Sequence, residues 1–308
     1  MRVILCGKND SAVHCLQFLV ERGDQVWAVG TRSDDGNDGW QRSLKRAAAR
    51  LRVPFDQPAN INDAGFIKRL ADLRSSVLVS IQYDQILQGP LFEAIGCPCI
   101  NLHFSLLPRN RGMAPIAWAV LRGDRETGAT MHLMVRSVDA GDIITQRAVP
   151  IASDDTARQV YDKVAMSAVE VFKACYPFSP EQLAARQPQD PSVSSYHKYG
   201  EFDFSRRRID WSRPVGELHR WLRSMIFPPL QYPEVAVNGR TMAVARIGPQ
   251  IIGSSATRPG VVVAVSPGAL DVTAKGGAIR ICEVIDPRAP SATFHDVVRT
   301  VAVGDQLA

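Results

Sequence analysis

No stretch of the sequence stays apolar long enough to cross a membrane: the longest runs, such as Val77–Ile81 and Val261–Val265, stop far short of the roughly 20 residues a span requires. Residues Met1–Cys6 enter a strand pattern without the layout of a secretory signal, so the expectation is a soluble, cytoplasmic protein. Cysteine clusters are also missing. Of the six cysteines only Cys97 and Cys99 lie close together, and one C-x-C without a second cluster lacks the spacing of structural zinc. Buried thiols in a reducing compartment, with no disulfide framework and no metal, are therefore expected. Charge of one sign is scarce: 36 Lys and Arg against 31 Asp and Glu leave a net charge of +5. The densest basic stretch, Arg206–Arg208 with Arg213, Arg220 and Arg223, reads more readily as a solvated face than as a nucleic-acid footprint. There are no repeats and no low-complexity tracts. With 45% hydrophobic and 22% charged residues, the composition excludes disorder, collagen and coiled coil.

What is present divides by pattern. Arg2–Cys6, Gln25–Val29 and Val77–Ile81 read as strands, and Ala12–Arg22, Gln41–Leu51 and Ile61–Leu73 as helices. Strands separated by helices of this length imply crossovers and a mostly parallel, Rossmann-like α/β sheet. The strand Cys99–His103 follows, then a turn-rich segment Leu107–Gly112, a helix from Ala114 to Leu121, strands Ala129–Val135 and Ile143–Val149, and a long helix Asp155–Cys175. Gln187–Ser195, rich in Pro, Gln, Asp and Ser, reads as a connector. Beyond it lie one helix, Val215–Met225, and short segments spaced by Gly, Pro and Asn turns, the pattern of a small β-barrel. The organisation expected is an N-terminal domain over 1–190, a linker over 191–203 and a C-terminal domain over 204–308.

A dinucleotide site would need G-x-G-x-x-G directly after the first strand, but Cys6–Ala12 holds only Gly7. The informative segment is Asn101-Leu102-His103-Phe104-Ser105-Leu106-Leu107-Pro108. Residues i and i+2 of a strand share a face, so Asn101 and His103 project together where the strand breaks into a loop. In parallel sheets active sites open at that end. An amide beside an imidazole offers a hydrogen-bond donor for an oxyanion and a base that titrates near neutrality. Downstream, the Asp139-Ala140-Gly141-Asp142 turn supplies two candidate carboxylates to orient the imidazole.

Asn101–Pro108, Arg111-Gly112, Ala114-Pro115, Gly123-Asp124, Glu126–Thr130 and Asp139–Asp142 together resemble the folate-dependent formyltransferase family. It includes methionyl-tRNA, glycinamide ribonucleotide and amino-sugar nucleotide formyltransferases. The signature N-x-H, S-L-L-P, R-G, E-x-G-x-T and D-x-G occurs in that order. Trp40–Asp63, His132–Arg136 and the stretch from Asp210 to Val262 are similar to the branch acting on UDP-4-amino-4-deoxy-L-arabinose. The resemblance implies a formyltransferase domain followed by an OB-like barrel, with 10-formyltetrahydrofolate as donor, a primary amine as acceptor and no metal. It favours Asp139 over Asp142 and implies that His103 relays the proton, Asn101 steadies the oxyanion and Asp139 orients His103. For the folate it implies backbone groups of Gln85, Ile86 and Leu87 and of the segment Val135, Arg136, Ser137, Val138 and Asp139, with a cleft wall of Ser105, Leu106, Leu107 and Pro108. Arg111 and Met113 fall on the acceptor side. Met113 departs from that branch, which has arginine there, and Phe104 fills a position commonly glycine or alanine.

Methionyl-tRNA formyltransferases carry a basic insertion after the second strand, whereas Thr31–Asp38 holds Asp34, Asp35 and Asp38, which would repel a phosphate backbone. The expected acceptor is therefore a nucleotide-linked 4-amino sugar. Transfer to tRNA, for which Arg206–Arg208 leaves room, transfer to another small amine such as an amino acid, and hydrolysis of 10-formyltetrahydrofolate stand as alternatives.

Overall fold

The computed structural model describes residues 1–253, 258–289 and 294–308, which form two compact units. One comprises Met1–Pro115, Glu126–Pro150 and Asp162–Lys198; the other comprises Ile116–Arg125, Ile151–Tyr161 and Tyr199–Ala308. Among the described residues no helix is long and apolar enough to cross a membrane.

Through the first half of the chain strands and helices alternate: β1 (Arg2–Gly7), α1 (Asn9–Glu21), β2 (Gln25–Gly30), α2 (Leu44–Leu51), β3 (Phe55–Asp56), α3 (Ala64–Asp72), β4 (Val77–Ile81), α4 (Gly89–Ile95) and β5 (Cys99–His103). There follow β6 (Arg111–Gly112), α5 (Pro115–Arg122), β7 (Glu126–Leu133), β8 (Ile143–Pro150), α6 (Ala157–Cys175), α7 (Pro180–Ala184) and β9 (Tyr196–His197). The first unit is built on a seven-stranded sheet of order β3-β2-β1-β4-β5-β7-β8. The block from β3 to β5 is parallel, and β7 runs antiparallel to both β5 and β8. β4 is buried at all five residues, as a central strand covered on both faces must be, and this is why Val77–Ile81 shows no polar alternation. Between β2 and β4 the chain reverses the direction in which it adds strands to β1, so the carboxyl ends of the parallel strands open into a crevice.

Helix starts follow capping chemistry. Ser43 accepts the Arg46 N–H ahead of α2, and Asp63 accepts the Phe66 N–H ahead of α3. These caps fix starts at Leu44 and Ala64, inside the apolar stretches from Gln41 and Ile61 that suggested longer helices. α4 leaves too short a periodic signal to be expected from sequence. Its seven residues begin at Gly89-Pro90 and stop at Gly96, whose φ is +64. Four cysteines are buried as expected, while Cys97 and Cys282 are half-buried.

The second unit carries α8 (Val215–Met225) and the strands β10 (Glu234–Val237), β11 (Arg240–Ile247), β12 (Ile251–Ile252), β13 (Val262–Ser266), β14 (Ala269–Ala274) and β15 (Gly277–Ile285), with a short α9 (Phe294–Val298). The strands form an antiparallel, OB-like half-barrel of order β10-β11-β15-β14-β13, with β12 also on β15. Its core gathers Leu218 and Leu222 of α8 with Val244, Val272, Ile279 and Ile281. Val215, Leu218, His219 and Leu222 are buried on α8 at i, i+3, i+4 and i+7, so one face is committed to the barrel. Truncating the fully buried Leu218 should therefore leave a cavity: Leu218→Ala is expected to cost about 2–5 kcal/mol in denaturant unfolding. A loss under about 1 kcal/mol would show that α8 is not anchored there.

Candidate active site

The site grows from one strand pair. β5 brings Asn101 and His103 to the same face, and the antiparallel register of β7 sets His132 opposite Asn101 and Thr130 opposite His103. Between β7 and β8 the chain turns back through residues 134–142, where Asp139 adopts a left-handed φ of 52. Gly141 is required in this turn because a Cβ there would drive into the Leu133 carbonyl oxygen. Gly112, with φ +85, would likewise meet the His197 carbonyl, so the R-G step also depends on a missing side chain.

These turns deliver the Asp139 carboxylate to a closed ring of partners. The Gly112 N–H donates to Oδ2 at 2.9 Å, and His103 Nδ1 stands 3.5 Å from the same oxygen. Asn101 Nδ2 donates to Oδ1 at 3.2 Å, and His132 Nε2 lies 3.4 Å from it. Asn101 Nδ2 is also 3.2 Å from His132 Nε2, while His132 Nδ1 donates to the Leu133 carbonyl at 2.8 Å. The other nitrogen of His103, Nε2, is 2.9 Å from the Asn110 carbonyl oxygen. Burial by itself pushes the Asp139 carboxyl up. The charge of His103, the hydrogen bond and charge of His132 and the Gly112 N–H together outweigh it, holding the group well below the usual carboxylate range. The result is a buried, ionised carboxylate between two imidazoles.

Asp142 sits elsewhere, in an exposed pair with Arg186 at 3.0 Å. Ser105–Pro108 is a locked loop. Thr130 Oγ1 donates to the Ser105 carbonyl at 2.6 Å and accepts the Leu107 N–H at 3.2 Å, and Gln146 Nε2 donates to the Leu107 carbonyl at 2.6 Å. The side chains of Ser105 and Leu107 are buried, leaving those of Leu106 and Pro108 partly accessible. Gln85 faces its own scaffold, accepting the Ile61 N–H at 2.8 Å and donating to the Pro58 carbonyl at 3.1 Å, and Leu87 packs in the core with Ile61 and Leu91. By contrast Ile86 is 64% exposed and Val135 44%. Their loops adjoin, since Arg136 lies against Gly89 and pairs with Glu93 at 2.7 Å. Ser137 is exposed and Val138 half-buried. Met113 is 48% exposed, and the Arg111 Nε donates to Gln189 Oε1 at 2.9 Å.

Sequence reasoning missed His132, Asn110 and Gln189. The first had a signal, because it lies two residues beyond Thr130 on the same strand face. Asn110 left none, since its contact with His103 is made through the backbone. A cavity of about 560 Å³ bounded by Trp118, Trp221, Arg207 and Arg213 of the second unit contains none of these residues. Convergent titratable groups, not volume, mark the site. Among the described residues no group of three or more His, Cys, Asp or Glu could hold a metal.

Known proteins resemble this chain in sequence and in fold. A model of formyl transferases matches residues 3–175, and a model of the formyl transferase C-terminal domain matches residues 204–300. Over 290 residues the chain is 32% identical to a methionyl-tRNA formyltransferase of Pelotomaculum thermopropionicum, covering 92% of this chain and 90% of that protein. WlaRD, a sugar 3N-formyl transferase solved in the presence of dTDP and 5-N-formyl-THF, superposes with a TM-score of 0.73 at 22% identity, over 93% of this chain and 98% of its own. An N-formyltransferase of Helicobacter canadensis in complex with folinic acid and dTDP-3-aminofucose gives 0.73 and 22%, over 92% and 98%. A 4-N formyltransferase of Francisella tularensis gives 0.61 and 19%, over 78% and 94%. At these identities the solved structures speak to the fold, whereas the family models and the tRNA-enzyme relative reach the family itself. The chain belongs to the formyl transferase family and is a formyltransferase.

Proposed function

We propose that the chain transfers a formyl group from 10-formyltetrahydrofolate to the amine of a nucleotide-linked 4-amino sugar, with Asn101, His103 and Asp139 as its catalytic residues. The observation that carries this reading is the ionised Asp139 carboxylate shared between His103 and His132, with the Asn101 amide beside it. The residues present fit a folate. Ile86 and Val135 offer exposed apolar surface on adjoining loops. Leu106 and Pro108 form the accessible part of the cleft wall. The folate and dTDP or dTDP-sugar ligands of two fold relatives support a nucleotide-linked amino sugar, although those two are 3-amino systems, and the 4-N formyltransferase of Francisella tularensis supports the 4-position. The six free thiols accord with a cytoplasmic protein.

When bound, the donor supplies an activated formyl carbon. Asn101 keeps one amide N–H on Asp139 and turns the other from His132 Nε2 to the formyl oxygen as negative charge gathers there. Once Nε2 leaves the Asn110 carbonyl and the ring proton sits on Nδ1 facing Asp139, His103 takes at Nε2 the proton that the attacking amine must lose and returns it to the departing nitrogen. Asp139 holds the imidazole by Nδ1 and balances its charge while it carries the proton. Arg111 remains the cation on the acceptor side, steadied through Nε by Gln189.

Two observations favour tRNA as a second acceptor. One is the 32% identical relative. The other is the fate of the acidic loop: Asp34 accepts the Ser43 hydroxyl and the Lys45 N–H, and Asp38 accepts the Ser43 N–H and pairs with Arg46, so two of its three charges serve α2. Arg42, Arg46 and Arg50 then line one side of a cavity of about 470 Å³.

Mass spectrometry with 10-formyltetrahydrofolate and a panel of UDP- and dTDP-linked amino sugars, amino acids and methionyl-tRNA separates the readings. A sugar nucleotide gaining one formyl group is expected. Formylated tRNA, or formate released equally fast without any acceptor, would contradict the assignment. His103→Ala should lower turnover by about 10²–10⁴-fold and Asn101→Ala by about 10²–10³-fold, each with folate affinity nearly unchanged in equilibrium titration. Near-normal rates in either variant remove the mechanism. Steady-state kinetics should also show Asp139→Asn to be far more damaging than Asp142→Asn, and the reverse order would move the role to Asp142.

A further inference from the structure

The connector that follows the long helix reads in sequence as a spacer. Residues 184–194 are exposed without exception save one: Gln189 is drawn half inside. Its amide nitrogen donates to the carbonyl of Asp139 at 2.8 Å and to the carbonyl of Gly141 at 2.7 Å, while its amide oxygen accepts the Arg111 Nε at 2.9 Å. A single side chain thus joins the turn that carries Asp139 to the step that carries Gly112, whose N–H donates to the Asp139 carboxylate.

The neighbouring contacts of the connector follow the same course. Arg186 pairs with Asp142, and Gln187 exchanges both backbone hydrogen bonds with Ile143, each at 2.8 Å. Farther along, Ser195 Oγ accepts the Asn110 N–H at 2.8 Å, the Ser195 carbonyl accepts the Arg111 N–H at 2.9 Å, and β9 pairs with β6. Residues 186–197 therefore run first along the outside of the Asp139 turn and then along the loop whose Asn110 carbonyl meets His103. Gln189 lies between the two attachments and touches both loops.

A residue in the left-handed region, as Asp139 is, keeps that conformation only where its surroundings hold it. Two carbonyls of the same turn converging on one NH₂ group supply that hold, each taking one of its two hydrogens.

We infer that Gln189 is a positioning residue for the transfer reaction: its two amide N–H groups set the Asp139 turn, and through it the carboxylate, against His103, while its oxygen registers Arg111 to the same turn. The inference rests on the proposed roles of His103 and Asp139. Gln189→Met keeps length and bulk but has neither donor nor acceptor. Gln189→Glu keeps the oxygen that receives Arg111 but replaces the donor by a charge facing two carbonyls.

Both variants should fold, as judged by circular dichroism and melting temperature, and both should lose kcat by about 10–100-fold, with KM for donor and acceptor nearly unchanged. Gln187→Ala, a change at an exposed neighbour held through its backbone, should match the parent. Restoration of kcat by Gln189→Glu would show that holding Arg111 suffices and would overturn the donor role. Unchanged kcat in both variants, or loss that falls on KM alone, would overturn the inference outright, as would failure of both variants to fold, which would make Gln189 a stability residue. His103→Ala assayed alongside keeps the failures apart: if it turns over normally the catalytic reading itself falls, whereas if it is inactive while the Gln189 variants are unaffected only the positioning role does.

Discussion

A carboxylate held ionised inside protein is the constraint on which the rest of this site depends. Removing a charge from water is costly unless pairing and hydrogen bonding replace its hydration. Asp139 meets that requirement with the Gly112 N–H, the Asn101 amide and the two imidazoles. The partners come from three different stretches of chain, so satisfying one charge fixes the ends of β5 and β7 and the loop between β5 and α5 together. With its folded-state pKa depressed, Asp139 contributes stability that is fully present above the unfolded value of about 3.9 and is lost as pH falls through the folded value.

The sheet makes this convergence possible. Parallel strands β1, β4 and β5 bring their carboxyl ends to one edge, and the antiparallel β7 returns past β5 so that a second row of side chains faces the first. Thr130 and His132 occupy that row. Thr130 secures the Ser105–Leu107 backbone and His132 secures Asn101, so one strand braces both the cleft wall and the catalytic amide. The glycines of the R-G and D-A-G steps are needed for close approach between backbones.

Much of this was legible in sequence. β4 and α8 fall at their expected bounds because the first is an unbroken apolar run and the second carries a 3.6-period signal, and β5 falls at its bounds as well. Asn101, His103 and Asp139, chosen from spacing and resemblance, are brought together in space. Other signals take on a second meaning in the structure. Asp34 and Asp38 counted as repulsive charges in the sequence, yet both are engaged by the start of α2. Gln85 and Leu87 fall in the loop whose backbone the resemblance implies for folate; their side chains belong to the scaffold, while Ile86 between them faces outward. Asn110 acts through a carbonyl that any residue has. Gln189 lies in a segment whose composition says only that it connects, because its importance comes from two turns distant in sequence.

Carbon-13 NMR of the aspartate carboxyls, with Asp139→Asn identifying the resonance, tests the buried ionised carboxylate most directly. The Asp139 signal should keep its ionised shift through the acid range in which exposed aspartates titrate, near about 3.9, and change only when the first unit unfolds. Titration of that carboxyl at or above about 3.9 in the folded protein would contradict the account.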